Sequence, residues 1–249
     1  MNIRRLIVLL PVVLLCACEA PRQTTNLRPP MIGTLIDIRR PRTEQDIVNA
    51  LNTRPPVKAG GTLGIVYLAP ESARSVEGQL HPAAMSQSEE NTWQTLRDDY
   101  LFTNVINLSN LSYAVGGARD IRTLRYYAAQ SGCNYLLVYG LAFDYMRQTN
   151  PLSILYLTII GAFIVPGEFV TVQAAGSAVL LDVETGFIYG DMQGKAFRSM
   201  SMPVGWIGSS LPRLYEAAAE AVVQDMRDRM APMLERMKNE LAVQGTLDY

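Results

Sequence analysis

Ala174-Ala-Gly-Ser-Ala-Val-Leu-Leu-Asp-Val-Glu-Thr-Gly-Phe-Ile-Tyr-Gly-Asp-Met-Gln-Gly-Lys-Ala-Phe-Arg198 reads as two strands joined by a short reversal. Ser177 to Val183 is apolar and extended, Glu184-Thr185-Gly186 is the turn, and Phe187 to Phe197 is the return. Gly186 supplies the positive φ that a short hairpin loop demands, since it has no Cβ to clash. Beyond the turn, Lys195 and Arg198 alternate with apolar positions, as on a strand with one wet face. The rest of the chain reads as helices and strands laid beside this ribbon.

Upstream, Thr62 to Ala69 is a strand bounded by Gly60-Gly61 and Pro70. Ser86 followed by Glu89 has the spacing of a capping box, and the helix behind it carries Trp93, Leu96, Tyr100 and Leu101 as a core-facing stripe. Asn104 to Leu111 alternates loosely as a second strand. Asp120 caps a helix over Ile121 to Ser131, closed by Gly132. Asn134 to Asp144 is apolar on both faces, which places it in the middle of a sheet covered by helices. The expected fold is α/β (α+β): a mixed sheet with helices packed on it, in the order strand, helix, strand, helix, strand, β-hairpin, C-terminal helix.

That last helix starts at a Ser210 cap with Pro212 in its first turn, and Pro232 should kink or divide it near Met230. Val222, Met226, Met230, Met233, Met237 and Leu241 form one apolar stripe across the break. Past Pro232, Met233 and Met237 fit either core filling or a partner contact.

Between the third strand and the hairpin, residues 151–166 form an apolar excursion. Leu152 to Val165 is uncharged and flanked by prolines; as a helix it would be about 21 Å long, short of the ~30 Å hydrocarbon core. A barrel strand would alternate polar and apolar residues, and this segment does not. Three readings fit: a buried element, a segment dipping into a membrane, and a subunit contact. Leu152, Leu155, Ile159, Ile160 and Phe163 are its candidate contact residues.

The amino terminus supplies an address. Arg4-Arg5 precedes an apolar run from Leu6 to Leu15, too short to span a membrane, and Leu15-Cys16-Ala17-Cys18 follows. This ending resembles the lipobox of bacterial lipoproteins, with Leu15 and Ala17 in the aliphatic and small places and Cys18 as the acceptor. The resemblance implies a covalent diacylglycerol and an N-acyl (palmitate-type) lipid on Cys18 and no other cofactor. Glu19, where an aspartate would retain an inner-membrane lipoprotein, implies the periplasmic side of the outer membrane. Residues 18–61 form a Pro/Arg-rich tether, with Arg28-Pro29-Pro30, Arg54-Pro55-Pro56 and a short helix over Thr43 to Leu51. The expected organisation is a signal peptide 1–17, tether 18–61, αβ domain 62–230 and C-terminal helix extension 231–249.

The 249-residue chain is 49% hydrophobic. Losing Arg4 and Arg5 with the signal leaves 20 basic against 23 acidic residues, a net charge of −3, which disfavours a nucleic-acid partner. Cys16 leaves with the signal and Cys18 is acylated, so Cys133 has no disulfide partner and the core must carry stability alone.

Ile65-Val-Tyr-Leu-Ala69, the step from helix into Ser131-Gly-Cys-Asn-Tyr-Leu-Leu-Val, and Val179-Leu-Leu-Asp-Val-Glu-Thr-Gly186 together resemble an αβ domain found in several envelope proteins. These are the amino-terminal domain of TolB, the lipoprotein activators of penicillin-binding proteins and the curli secretion channel lipoprotein. A looser resemblance is to lipoproteins that accompany rhombosortase systems. The resemblance covers about residues 62–230; that the protein is not an enzyme is expected from its sparse chemical motifs instead.

Motifs for chemistry are sparse. His81, the one histidine, sits beside Pro82 in a loop. Gly205-Trp-Ile-Gly-Ser209 has the wrong spacing for a nucleophile elbow. Asp98 and Asp99 are adjacent and diverge on a helix. Cys133, before a buried strand, reads as an inert thiol. The expected function is therefore an assembly or partner-binding component of an envelope or export system, anchored to the membrane through its lipid. Its partners would be envelope proteins and a possible second copy of itself. The alternatives are a regulatory activator of a cell-wall synthetic enzyme, or an enzyme or ligand-binding protein without recognisable motifs.

Overall fold

The computed structural model describes residues 55–69, 84–98, 101–109, 120–149, 168–202 and 207–247, with isolated positions between 43 and 52. Cys18, His81, Asp99, Tyr100, Leu152, Leu155, Ile159, Ile160 and Phe163 lie outside them. A mixed five-stranded sheet carries the fold, in the order β2-β1-β3-β4-β5. β1 (Gly61–Leu68) runs parallel to β2 (Phe102–Asn107) and to β3 (Tyr135–Thr149). β4 (Glu168–Asp182) and β5 (Ile188–Met202) then add on antiparallel.

Helices cover both faces. α1 (Gln87–Gln94), the 3-10 turn Thr95–Asp98 and α3 (Ile207–Leu247) pack on the face of Ile65, Leu137, Tyr139 and Leu180. α2 (Ile121–Gln130) covers Val66, Leu136, Val138 and Leu181 on the other. The expected caps form. Ser86 and Glu89 make the reciprocal capping box, and Asp120 accepts from the Thr123 amide. Gly132 closes α2 with a positive φ of 73°.

The structure corrects several boundaries. α1 stops at Gln94 because the Thr95 hydroxyl bonds the Thr92 carbonyl and the chain tightens into the 3-10 turn. Leu96 and Leu101 are nevertheless buried. β2 ends at Asn107, whose side-chain oxygen accepts the Ser109 amide and turns the chain away. The folded unit also begins before residue 62: Val57 is in the core, and the Lys58 backbone exchanges two 2.8 Å hydrogen bonds with the Tyr135 hydroxyl.

α3 begins at Ile207, so Ser210 lies inside its first turn. It runs on through Pro232 as one 41-residue helix, with no boundary at 230/231. An interior proline costs about 3 kcal/mol. Burying Met230, Leu234 and their neighbours on both sides of it returns about 1.5–3 kcal/mol per side chain, which outweighs that penalty. Met233 and Met237 are 6% and 3% exposed, so they are core residues rather than a partner surface.

Lys195 and Arg198 do not share a face. Three residues apart on a strand, they point to opposite sides. Lys195 lies with exposed Asp191 and Gln193, while Arg198 lies on the side that carries buried Met192 and Gly194. Two glycines decide how α3 sits. Gly176 and Gly194 pair across β4 and β5. A Cβ on Gly176 would fall 2.7 Å from Val222 Cγ1, and one on Gly194 would fall 2.9 Å from the Val222 carbonyl oxygen. The helix therefore touches the sheet almost backbone to backbone there.

Candidate functional site

The hairpin turn anchors an open surface groove. Asp182 is buried, and its Oδ1 accepts from the Thr185 amide at 2.7 Å and the Thr185 hydroxyl at 2.8 Å. The Gly186 amide bonds the Asp182 carbonyl, and Gly186 takes a φ of 76°. A Cβ at Gly186 would also fall 2.6 Å from Arg125 Nη1 and would displace that side chain.

α2 closes the groove from the side. Arg122, Arg125, Tyr126 and Ala129 follow helical spacing and line one wall. Arg125 donates from Nε to the Val183 carbonyl at 2.9 Å and from Nη2 to the Glu184 carbonyl at 2.6 Å. Those two bonds fix its guanidinium and satisfy two turn carbonyls. Lys58, arriving from before β1, holds Glu184 Oε2 at 3.0 Å. That hydrogen bond to a carboxylate raises the lysine's pKa above its ordinary value.

The resulting space is about 590 Å³ and open to solvent. Its rim carries three cations (Lys58, Arg122, Arg125) and one carboxylate (Glu184), and Tyr126 stands over it 59% exposed. Cys133 forms part of the wall but is itself buried, and burial pushes its thiol up to about 11. It is protonated at neutral pH and a poor nucleophile.

Two further carboxylates have structural partners. Glu89, 1% exposed, accepts from the Ser86 amide, the Ser86 hydroxyl and, at 2.8 Å, the Tyr139 hydroxyl. Burial raises its pKa above the ordinary carboxylate value. Tyr139 in turn packs on Trp93 and Tyr67, with ring centroids 5.4 and 5.2 Å away, so the carboxylate ties α1 to the centre of the sheet. Asp225 on α3 accepts the outward amide of Lys195 at 3.2 Å and pairs with Arg229 at 3.0 Å, which covers one position of the β5 edge.

The second distinctive region is the far end of the hairpin. β1 pairs with β3 only as far as Gly140, so Leu141 to Thr149 continues with β4 and β5 alone as a three-stranded ribbon about 30 Å long. Phe169, Phe197 and Met200 are exposed on it. Thr149 and Glu168 are the last paired residues of β3 and β4, and residues 151–166 lie outside the described ones.

No protein-family model matches the sequence, and no curated protein matches it. Solved structures do resemble it. Lipoproteins of bacteria are among them. The chain is similar to the LpoB C-terminal domain from Salmonella enterica, with 16% identity, 61% of this chain and 93% of that one covered, and a TM-score of 0.31. It is similar to lipoprotein GNA1162 from Neisseria meningitidis at 13% identity, 64% and 98% coverage and a TM-score of 0.30. Rare lipoprotein B from Shewanella oneidensis follows at 10% identity, 76% and 99% coverage and a TM-score of 0.30. None of these likenesses is close enough to transfer a partner or an activity. Among the described residues, no helix is long and apolar enough to cross a membrane.

The groove had no counterpart in the sequence reading. Arg122 and Arg125 show the i, i+3 spacing of one helix face, but nothing local joins them to Lys58 or Glu184. That meeting depends on the register of β1 on β3 and on where the hairpin turns.

Proposed function

We propose that this chain is a lipid-anchored lipoprotein on the periplasmic side of the outer membrane, acting by binding protein partners in an envelope assembly or export system rather than by catalysis. The observation that carries the reading is Leu15-Cys16-Ala17-Cys18 behind a basic start and a short apolar run. Several acyl chains on Cys18 would hold the protein durably, at about 0.8 kcal/mol per buried methylene. The tether would set the distance from the membrane, and the αβ domain would present the contact surfaces.

Two such surfaces support the reading. One is the open cationic groove between α2 and the hairpin turn. The other is the ribbon, whose exposed Phe169, Phe197 and Met200 lead to Leu152, Leu155, Ile159, Ile160 and Phe163 as the membrane or partner contact.

Fractionation of cells making the Cys18→Ser variant tests the anchor. The parent should sediment with outer membranes and the variant should be released. Retention of the variant in membranes would sink the proposal. Replacing both Leu155 and Ile159 with Asp should abolish oligomer formation while the acyl anchor keeps the chain in the membrane and the far-UV circular dichroism stays that of the parent.

A further inference from the structure

We infer that the groove between α2 and the Asp182–Gly186 turn receives an acidic peptide segment of a partner protein, with Glu184 occupying it as an internal carboxylate until the partner arrives. This rests on the reading of the protein as a partner-binding component and names the chemistry of the contact.

The charge is concentrated where the rest of the chain does not supply it. The protein carries a slight net negative charge, yet Lys58, Arg122 and Arg125 stand around one open space of about 590 Å³. Their arrangement selects among anions. A phosphate is best held by converging forks and backbone amides. Here Arg125 has already committed its Nε/Nη2 fork to the turn carbonyls, which also fixes where its remaining N–H groups point. Lys58 is a point charge and Arg122 is exposed on the helix, about one turn before Arg125. Separate point contacts fit carboxylates spaced along a chain better than one compact polyanion.

Glu184 shows that a carboxylate is accepted, since its Oε2 lies 3.0 Å from Lys58 Nζ while its side chain stays 75% exposed. An ion pair that open holds weakly and exchanges readily. Tyr126, exposed beside the cations, offers a ring for the apolar part of an incoming side chain. The groove's width to solvent suits a peptide laid across it rather than an enclosed small molecule.

Fluorescence anisotropy of a labelled hexaglutamate peptide, titrated with the full acylated chain in nonionic detergent, tests the inference. Saturable binding is expected, weakening as salt rises. Lys58→Glu with Arg122→Glu should weaken it at least about tenfold. Both side chains are solvent-accessible, so an unchanged thermal melt will show that the variant folds. Glu184→Gln should tighten binding severalfold by removing the internal competitor. Glu220→Gln, on α3 across the sheet, removes the same charge and should leave binding unchanged. The inference is overturned if hexaglutamate does not bind, if the double reversal leaves binding intact, or if Glu184→Gln and Glu220→Gln act alike. Equal displacement by pyrophosphate, or by vesicles of anionic lipid, would reassign the groove to phosphate groups and likewise overturn it. Loss of membrane attachment in Cys18→Ser with peptide binding intact would leave both proposals standing, so the two fail separately.

Discussion

The two halves of the long hairpin are built from the same strands and solve different problems. Near the turn, β3 and β4 lie inside a five-stranded sheet with helices on both faces, and Leu136, Leu137, Val138 and Leu180 are fully buried. Past Gly140 the sheet narrows to three strands. There Val170 and Val172 remain buried, with Phe143 against Tyr215 of α3, while Phe169, Phe197 and Met200 face solvent. The first half holds the fold together and carries a polar groove on its rim. The second is a narrower arm, packed on α3 through Phe143 and its neighbours, that leaves Phe169, Phe197 and Met200 exposed.

The largest expected contrast follows from that difference. Leu137→Ala, at the centre of the wide half, should cost about 2–5 kcal/mol in a urea titration. Phe197→Ala, on the arm, should stay within about 0.5 kcal/mol of the parent. Comparable losses at both positions would show that the arm is as much core as the centre. Gly194→Val tests the joint between the halves. Its side chain would meet the Val222 backbone oxygen, which cannot rotate away, so α3 must lift at a cost of about 1–3 kcal/mol or more.

A smaller effect concerns pH. Burial raises the Glu89 carboxyl above its ordinary 4.5, so the folded chain holds this proton more tightly than the unfolded chain. Stability attributable to Glu89 should then be full below 4.5 and fall as pH rises through the raised folded value, by up to about 1.4 kcal/mol per pH unit in that window. Glu89→Gln should flatten the dependence. A parent whose stability rises through that window in step with the Gln variant would contradict the assignment. Smallest of all, Lys58→Ala removes a solvent-exposed ion pair and should change the melting temperature hardly at all, whatever it does to binding.

Local signals were legible and long-range ones were not. The Ser86–Glu89 box, the Asp120 cap, Gly132 and the Gly186 turn each depend on residues within a few positions, and each formed as read. The unbroken apolar run from Tyr135 to Tyr139 placed β3 at the centre of the sheet. Strand length was harder: the hairpin reaches back to Glu168 and on to Met202, because pairing with a neighbour sustains residues whose own pattern is weak. Pro232 misled for a related reason, since side chains packed on both sides hold the helix through it. Nothing local in the sequence marks Gly176 and Gly194 as the place where α3 approaches, because it takes the β4–β5 register to pair them. Among the candidate contact residues, Met233 and Met237 went to the core because α3 stays docked past Pro232, as far as Met237.

Intact-mass analysis of the mature protein tests the central claim most directly. A chain beginning at Cys18 and carrying diacylglycerol plus an amide-linked acyl group is the expected result. An unmodified terminus, or one generated at another residue, would contradict it.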